Sequence, residues 1–214
     1  MSQCFAGPDP ARVTDFKYGT PPNGGTVYQT TANESGMMIS LIQSNYMGFD
    51  SGVVVPGTGV SLQNRGHGFT LDEQNPNIVA GGKRPFHTII SGFLTRDVGG
   101  VMQPQMSFGV MGGNMQPHGH LQTLVRMLVH HQQPQTACDA PRWKVAAGLN
   151  VDFESTMAAS LVVDLIALGH CLEATADAYM DYGSGPFIWK LSDDLNDSYV
   201  AASDSRRDGQ AAGY

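Results

Sequence analysis

Two short stretches and one group of side chains in this chain contain residue types that can do chemistry. The first stretch is a threonine that follows two glycines. Gly24 and Gly25 precede Thr26. A threonine at the amino end of a chain can be a nucleophile, because its own α-amine takes the proton from its hydroxyl. An internal threonine reaches that state only if the bond before it breaks, and glycine lets the backbone distort enough for this. Taken locally, the pattern is more typical of a glycine turn that leads into a strand.

The second stretch is VMGGNMQPHGH, residues 110–120. Gly112 and Gly113 separate an apolar run from a helical pattern, so backbone N–H groups are expected to lie exposed near the amino end of a helix. Such groups form a natural oxyanion site. An ordinary turn from a strand into a helix would contain the same two glycines.

The third group consists of cationic and metal-ligating side chains. Histidines cluster near the predicted helix, at positions 118, 120, 130 and 131. No Asp, Glu or Cys partner lies at ligand spacing, so no metal site is expected. Lys83 and Arg84 precede an apolar run, where they are either solvated charges or guides for an anionic substrate.

The elements that must position these residues are short strands, two helices and two final strands. Strands are predicted at 27–31, 37–44, 51–64 (two short ones around a Pro-Gly turn), 88–94, 105–111, 187–191 and 199–202. The first two flank an Asn-Glu-Ser-Gly turn and predict a hairpin.

Helices follow from a change of apolar period. One apolar face, of period i, i+3, i+4, i+7, comprises Leu121, Leu124, Val125 and Leu128. A second helix is predicted over 155–169, capped by Ser155 or Thr156, with an apolar stripe of Met157, Leu161, Leu165 and Leu168. This order predicts a layered α+β fold.

Composition excludes several functional classes. The 214 residues are 41% hydrophobic and 14% charged, with a net charge of −7, which argues against a nucleic-acid partner. No apolar run is long enough for a membrane span. The first residues lack a secretory signal, so a cytoplasmic location is expected. Cys4, Cys138 and Cys171 form neither a disulfide framework nor a zinc motif.

Taken together and in order, the motifs resemble the catalytic small subunit of the γ-glutamyltransferase family. The similarity runs from about residue 24 to residue 214 and is greatest to a γ-glutamyltransferase-like branch. The matching stretches are GGTVYQTTANESGMMISLIQSNYMGFDSGVVVPGTGVSLQNRGHGF, GKRPFHTII, GVMGGNMQPHGHLQTL, DAPRW and ASDSRRDGQAAGY.

This resemblance implies an amino-terminal-nucleophile hydrolase, an αββα four-layer sandwich of which this chain supplies the small-subunit part. It implies self-cleavage between Gly25 and Thr26, with Thr26 as the catalytic nucleophile and Ser44 as its supporting hydroxyl. Gly112 and Gly113 match the glycines that hold the oxyanion. Asn45 lies close to a family asparagine of the substrate pocket. The implied mechanism requires no cofactor.

The departures from the family concern the substrate. Arg65 and Gly68 stand where the glutathione-cleaving members have a glutamine and an aspartate that hold the substrate's α-amino group, and an arginine would repel that cation. His87 and Thr88 replace two serines of the pocket. The resemblance therefore implies a γ-glutamyl donor or another acyl amide, such as a β-lactam side chain.

The family's long first half, the large subunit, has no counterpart in the sequence. Residues 1–25 are expected to be a linker or the end of that region, and residues 26–214 the catalytic domain. The chain is expected to pair with a large-subunit half in a heterodimer or a higher oligomer. A non-catalytic remnant that binds a partner is the alternative, and it predicts an intact Gly25–Thr26 bond.

Overall fold

The structure, a computed structural model, describes residues 25–47, 51–175, 181–192, 194 and 199–213, so the predicted linker lies almost entirely outside the described residues. The described strands form sheets of two, four and three strands. The strands are β1 (Thr26–Ala32), β2 (Met38–Ser44), β3 (Gly92–Val98), β4 (Val101–Phe108), β5 (Trp143–Ala147), β6 (Asn150–Glu154), β7 (Cys171–Thr175), β8 (Phe187–Lys190) and β9 (Tyr199–Ala202). The helices are α1 (Gln116–Leu128), α2 (Pro134–Asp139) and α3 (Ala159–Ala167).

Strands β1 and β2 form the predicted hairpin, which is confirmed. The side chain of Asn33 holds the turn, because its Oδ1 accepts hydrogen bonds from the backbone N–H groups of Ser35 and Met37, each at 3.1 Å. Gly36 completes the turn at a φ of 83°, in the left-handed region that glycine tolerates. The pairing places Thr26 directly opposite Ser44.

The core lies on the four-stranded antiparallel sheet, in the order β3-β4-β8-β9. Met106 and Phe108 of β4, Phe187 of β8 and Ala202 of β9 are buried there against Met127, Ala137 and Cys138 of the two helices α1 and α2. Fully burying one side chain of the size of Met106 or Phe187 contributes about 1.5–3 kcal/mol. This packed sheet supports the hairpin of β1 and β2.

A cluster of hydroxyl groups attaches the hairpin to that sheet. The hydroxyl of Thr30 donates to Ser107 Oγ on β4 at 2.6 Å, and Ser107 Oγ donates to the carbonyl of Ile39 at 2.9 Å. The Tyr28 hydroxyl lies 2.6 Å from Ser40 Oγ. Burial raises the pKa of Tyr28. Because side chains alternate along a strand, the same face that carries Tyr28 and Thr30 carries Thr26.

The predicted face of α1 is wrong in part. Leu121 and Leu128 are exposed, and the buried side of the helix instead carries Gly119, Thr123 and Met127. Gly119 faces the side chain of Val110, which leaves no room for a Cβ. The apolar period therefore predicted the adjacent face of the helix, because the close approach of Val110 is a tertiary contact.

Several predicted boundaries also need correction. Strand β3 begins at Gly92, not at 88, because the Gln116 amide bonds the carbonyl of Thr88 and the N–H of Ile90 and keeps them out of the sheet. Strand β4 follows a Gly99-Gly100 turn and runs from Val101 to Phe108, whereas the sequence predicted 105–111. Residues 51–64 contain only an isolated bridge between Val54 and Ser61.

The three-stranded sheet and α2 were not predicted. Strands β5 and β6 are antiparallel, whereas β6 and β7 are parallel and are joined through α3. Helix α3 begins at Ala159, without a side-chain cap, because the backbone N–H of Met157 bonds the carbonyl of Glu154 in a turn. The predicted caps Ser155 and Thr156 are therefore wrong. No residue of α3 itself is fully buried: Leu165 of the predicted stripe is partly buried, whereas Leu161 is exposed.

A buried ionic network joins the end of the chain to the rest of the molecule. Arg142 pairs with Asp204 at 2.6 Å, and Arg206 pairs with both Glu154 (2.5 Å) and Asp204 (3.1 Å). All four side chains are buried. Carbonyl groups of the chain accept the remaining guanidinium hydrogens of Arg206, among them that of Cys138. Burying a charge costs free energy, and pairing of this kind offsets much of that cost.

Among the described residues, no helix has both the length and the apolar character needed to cross a membrane.

Candidate active site

Thr26 is the first residue of β1 and lies half-buried on the inner face of the hairpin. Its hydroxyl donates a hydrogen bond to Ser44 Oγ at 2.9 Å. Ser44 Oγ also accepts the backbone N–H of Tyr46 at 3.1 Å. Gly25 is exposed, and a Cβ added to it would meet no atom of the described residues within 4 Å. The structure thus brings together the two hydroxyl residues that the sequence singled out.

The backbone after Ser44 turns sharply. Tyr46 has a φ of 90°, a conformation that is rare for an aromatic residue and costs energy. The carbonyl of Asn45 accepts the N–H of Asn64 at 3.2 Å, which ties this turn to the segment that contains Arg65. Asn45, a predicted substrate-binding residue, thus lies next to Ser44 in the strained turn.

Arg65 lies beneath this turn and is 4% exposed. Its guanidinium donates to Thr88 Oγ1 at 3.0 Å and to the carbonyl of Ser44 at 3.2 Å, and lies 5.3 Å from the centre of the Tyr46 ring. Burial lowers the pKa of Arg65, yet an arginine side chain stays charged in proteins. Ser44 is therefore held on two sides, with its hydroxyl bonded to Thr26 and its backbone carbonyl bonded to Arg65, which also bonds Thr88.

Gly112 and Gly113 form the turn that leads into α1. Their φ angles are 121° and 58°, both in the region that favours glycine. A Cβ on Gly112 would lie 3.0 Å from Gly183 Cα, so the segment 182–185 packs directly against this turn. The N–H of Met111 bonds the carbonyl of Ser184 at 2.7 Å.

The ionic network holds that neighbouring segment in place. Arg142 donates to the carbonyl of Tyr182 at 2.9 Å, and Asp204 accepts the N–H of Gly185 at 3.0 Å. The network therefore fixes the position of the Gly112-Gly113 turn through residues 182–185. Only the tertiary structure reveals this link, since these residues are far apart in sequence.

His120 fixes the same turn from the other side. Its Nε2 accepts the backbone N–H of Val110 at 2.8 Å. Burial and the positive charge of Arg142 lower the pKa of His120 to about 4, so the imidazole is neutral near pH 7 and can accept this bond. Sequence reasoning weighed His120 only as a metal ligand. Its position ten residues after Val110, at the start of a helix, was the available signal.

A small cavity joins three of the predicted residues. Its volume is about 170 Å³, and its lining includes His87, Thr88 and Gly113. The side chain of His87 is itself exposed. Its partial desolvation, together with the positive charges of Arg65 and Arg84, lowers the pKa of His87. A second, larger cavity of about 530 Å³ borders Thr26, strands β8 and β9, and the segment 209–212.

One predicted residue stands apart from this cluster. Gly68 lies against the backbone of Phe86, where a Cβ would come within 3.3 Å of the Phe86 carbonyl oxygen. It shapes the loop and offers no side chain to a ligand.

Comparison with known proteins decides the family. Residues 4–214 match the family model described as gamma-glutamyltranspeptidase. The chain belongs to this family. The predicted recognition and the predicted fold class, the amino-terminal-nucleophile hydrolase fold, are confirmed.

Two relatives and one solved structure illustrate the similarity. The chain is 34% identical over 96% of its length to the oxamate amidohydrolase proenzyme of Klebsiella pneumoniae, and 32% identical over 90% to the glutathione hydrolase-like YwrD proenzyme of Bacillus subtilis. It spans 38% and 36% of the lengths of those proteins. The cephalosporin acylase of Bacillus halodurans superposes over 87% of this chain and 34% of its own, with a TM-score of 0.79 and 44% identity.

Among the described residues, no group of three or more His, Cys, Asp and Glu side chains could hold a metal ion. The two histidines of the HGH stretch have other contacts, because His120 accepts the N–H of Val110 and His118 lies against the ring of Trp143.

Proposed function

We propose that this γ-glutamyltranspeptidase-family chain is the catalytic part of an amide hydrolase or acyltransferase, with Thr26 as its nucleophile after self-cleavage at Gly25–Thr26. The observation that supports this most directly is the hydrogen bond from the Thr26 hydroxyl to Ser44, at 2.9 Å, on the first residue of a strand that follows the exposed Gly25. The bond orients the hydroxyl at the point where the chain must break.

In the proposed self-cleavage, Thr26 Oγ attacks the carbonyl carbon of Gly25. The C–N bond breaks, the nitrogen of Thr26 takes up the hydroxyl proton, and an ester forms between Gly25 and Thr26 Oγ. Water then hydrolyses the ester, leaving a carboxylate on Gly25 and a free α-amine on Thr26. That amine is the base that the nucleophile needs for turnover.

In the proposed turnover, the α-amine of Thr26 takes the proton from Oγ as Oγ attacks the amide carbonyl of the substrate. The leaving amine takes the proton, and the acyl group stays on Oγ as an ester. Water or an acceptor amine then releases it. Backbone N–H groups at Gly112 and Gly113 would stabilise the tetrahedral oxyanion, a contribution of roughly 3–4 kcal/mol per donor in other enzymes. The chemistry requires no cofactor.

We further propose that a large-subunit half completes the protein as a heterodimer or a higher oligomer. The outer face of the hairpin exposes Val27, Ile39 and Leu41, and α3 exposes Val163 and Ile166. Exposed apolar faces of this kind are typical of surfaces that a partner covers. The chain's share of its relatives' lengths, 38% and 36%, leaves room for one.

The test uses the complete protein, with the large-subunit half present. We expect intact mass spectrometry to find a fragment that begins at Thr26, and Thr26→Ala to abolish both this cleavage and amide turnover. Thr26→Ser should retain cleavage at a lower rate, because it keeps the hydroxyl. Thr31→Ala, on the exposed outer face of the same strand, is the matched control and should cleave normally.

An intact Gly25–Thr26 bond in the wild-type protein would contradict the proposal. It would instead support a non-catalytic remnant that binds a partner. Cleavage that persists in Thr26→Ala would exclude Thr26 as the nucleophile.

A second candidate keeps the mechanism and changes the substrate to a non-glutamyl acyl amide. The buried guanidinium of Arg65 favours it, because this charge would repel the α-ammonium of a γ-glutamyl group. The names of an oxamate amidohydrolase and a cephalosporin acylase among the similar proteins point in the same direction. A panel of γ-glutamyl and non-glutamyl anilides separates the two candidates.

A further inference from the structure

The ring of Tyr28 lies directly against the backbone of Gly109. Tyr28 is 5% exposed, and a Cβ on Gly109 would lie 2.5–2.9 Å from three carbons of its ring. Carbon atoms that are not bonded to each other pack at about 3.5–4.0 Å. The ring therefore occupies the space that a side chain at position 109 would need.

This contact lies between the two parts of the proposed active site. Tyr28 comes two residues after Thr26 on β1, and Gly109 comes three residues before Gly112. Side chains alternate along a strand, so Tyr28 is on the same face of the hairpin as Thr26. A shift of this contact therefore changes the distance between the Thr26 hydroxyl and the backbone N–H groups of the Gly112-Gly113 turn.

The hydroxyl group of Tyr28 also connects the hairpin to the end of β4. It lies 2.6 Å from Ser40 Oγ, which donates a hydrogen bond to the carbonyl of Phe108 at 3.3 Å. Phe108 is the last residue of β4 and immediately precedes Gly109. The tyrosine side chain thus contacts Gly109 through its ring and reaches the neighbouring residue through Ser40.

The segment that begins at Gly109 is closely packed on its other sides as well. A Cβ on Gly185 would lie 2.5 Å from the Gly109 carbonyl oxygen, and a Cβ on Gly119 would lie 2.5 Å from Val110 Cγ1. Packing of this density leaves the backbone at 109–110 little space in which to move away from Tyr28. A change at the Tyr28 contact is therefore passed on to the hairpin or to the turn.

We infer that Tyr28 is a positioning residue of the proposed reaction, whose ring sets the distance between the Thr26 nucleophile and the oxyanion donors of the Gly112-Gly113 turn. The inference rests on the proposed function and adds a residue to it. Tyr28 acts through the backbone of β1 and of residues 109–113, and it takes no part in the making or breaking of bonds.

The test uses the complete protein, with the large-subunit half present, and the p-nitroanilide that the wild type hydrolyses fastest among γ-glutamyl and non-glutamyl anilides. Tyr28→Leu removes the ring that lies on Gly109. We expect it to lower kcat by ~10- to 100-fold, because a misplacement of about 1 Å at the reacting atoms can cost 100-fold. KM should stay within ~3-fold of the wild-type value, because acylation and deacylation both pass through an oxyanion and the donors act on that state.

All kcat values are expressed per self-cleaved molecule, counted by intact mass spectrometry after prolonged incubation. Molecules that fail to fold therefore do not enter them. Tyr28→Phe keeps the ring and loses only the hydroxyl, so its kcat should lie within ~3-fold of the wild-type value.

Gly109→Ala tests the same contact from the opposite side. It adds the Cβ that meets the Tyr28 ring, so it should lower kcat as Tyr28→Leu does. In the double variant, both changes act on one contact. The combined loss should therefore be smaller than the product of the separate losses.

Tyr199→Leu is the matched control. The Tyr199 hydroxyl donates to the carbonyl of Asn33 at 2.9 Å, so this tyrosine contacts the turn of the same hairpin, at the end away from Thr26. Its loss should lower stability in urea and leave kcat unchanged. A residue needed only for folding behaves in this way, so the comparison separates positioning from stability.

Three results overturn the inference. A wild-type kcat in Tyr28→Leu, or a loss in Tyr28→Phe as large as that in Tyr28→Leu, refutes the role of the ring and leaves the proposed function intact. If Tyr28→Leu does not fold, a wild-type kcat in Gly109→Ala refutes it instead. Wild-type protein that neither cleaves itself nor hydrolyses any anilide refutes both the inference and the proposed function.

Discussion

At the scale of single residues, His120 is the clearest case of a side chain whose protonation is controlled by the fold. Its Nε2 accepts the N–H of Val110, and burial lowers its pKa to about 4. Protonation would remove the acceptor and place a charge near Arg142. The residue therefore holds the strand before Gly112 only in its neutral form.

This predicts a pH dependence of stability. Because the pKa of His120 in the folded protein is below its ordinary value of 6.5, the unfolded state takes up the proton first as the pH falls. The free energy of unfolding should be fully supported above about pH 6.5 and should decline toward pH 4, by ~1–3 kcal/mol. His120→Gln keeps an acceptor and does not titrate, so its urea unfolding should lack this part of the decline.

The exposed His67→Gln provides the control, since its decline with pH should match that of the wild type. A constant difference in stability between wild type and His120→Gln from pH 7 to about pH 4 would contradict the assignment.

At the scale of elements, the position of Thr26 depends on how the β1–β2 hairpin is attached to β4. Ser107 is fully buried and links both strands, because it accepts from Thr30 and donates to the carbonyl of Ile39. The strand pairing sets Thr26 opposite Ser44, and this attachment sets the hairpin against the sheet. Hydrogen bonds at one end of the hairpin therefore determine the geometry at the other.

We expect Ser107→Ala to lower the free energy of unfolding by ~1–3 kcal/mol, because the Thr30 hydroxyl and the Ile39 carbonyl lose their partners in a buried place. Self-cleavage should slow in the same variant, since the hairpin is held less firmly. Urea unfolding and the time course of cleavage by intact mass measure the two effects. Ser160→Ala, on the exposed face of α3, should change stability by no more than about 0.5 kcal/mol.

At the scale of the whole molecule, the buried network of Arg142, Glu154, Asp204 and Arg206 connects the carboxyl-terminal segment to β6, to α2 and to the Gly112-Gly113 turn. Asp204 has the most connections, because it also accepts the N–H of Gly185. Arrangements of this kind are costly to break from one side, since the remaining charges stay buried without a partner.

Asp204→Asn should therefore destabilise the protein by ~3–5 kcal/mol. It should also impair self-cleavage, because residues 182–185 would no longer hold the turn at Gly112. Thermal unfolding and intact mass measure the two effects. Asp208→Asn, which alters an exposed carboxylate four residues further on, should leave both unchanged. An Asp204→Asn protein as stable as the wild type would show that the network does not support the fold.

Local patterns predicted the parts of the fold that depend on neighbouring residues. The β1–β2 hairpin follows from alternation around an Asn-Glu-Ser-Gly turn, and α1 from its apolar period. The pairing of Thr26 with Ser44 was available at the same level, because a tight turn sets the register of both strands.

The buried face of α1 and the caps of α3 were mispredicted for a common reason. Gly119 and Thr123 are buried because Val110 and the sheet lie against them, and no property of the helix itself reveals that neighbour. Strands β5, β6 and β7 are short and gain their order from one another, across up to some twenty residues of intervening chain.

The sequence by itself determined the family, the α+β class, the glycine-threonine junction and the two glycines before α1, since each is encoded in consecutive residues. Only the tertiary structure decided that Arg65 lies between Ser44 and Thr88, as a buried charge with no carboxylate partner in the described part of the chain, and that Asp204 reaches the Gly112-Gly113 turn through Gly185. These contacts join residues roughly 20 to 60 positions apart. Their energies depend on burial, which arises only when the elements pack.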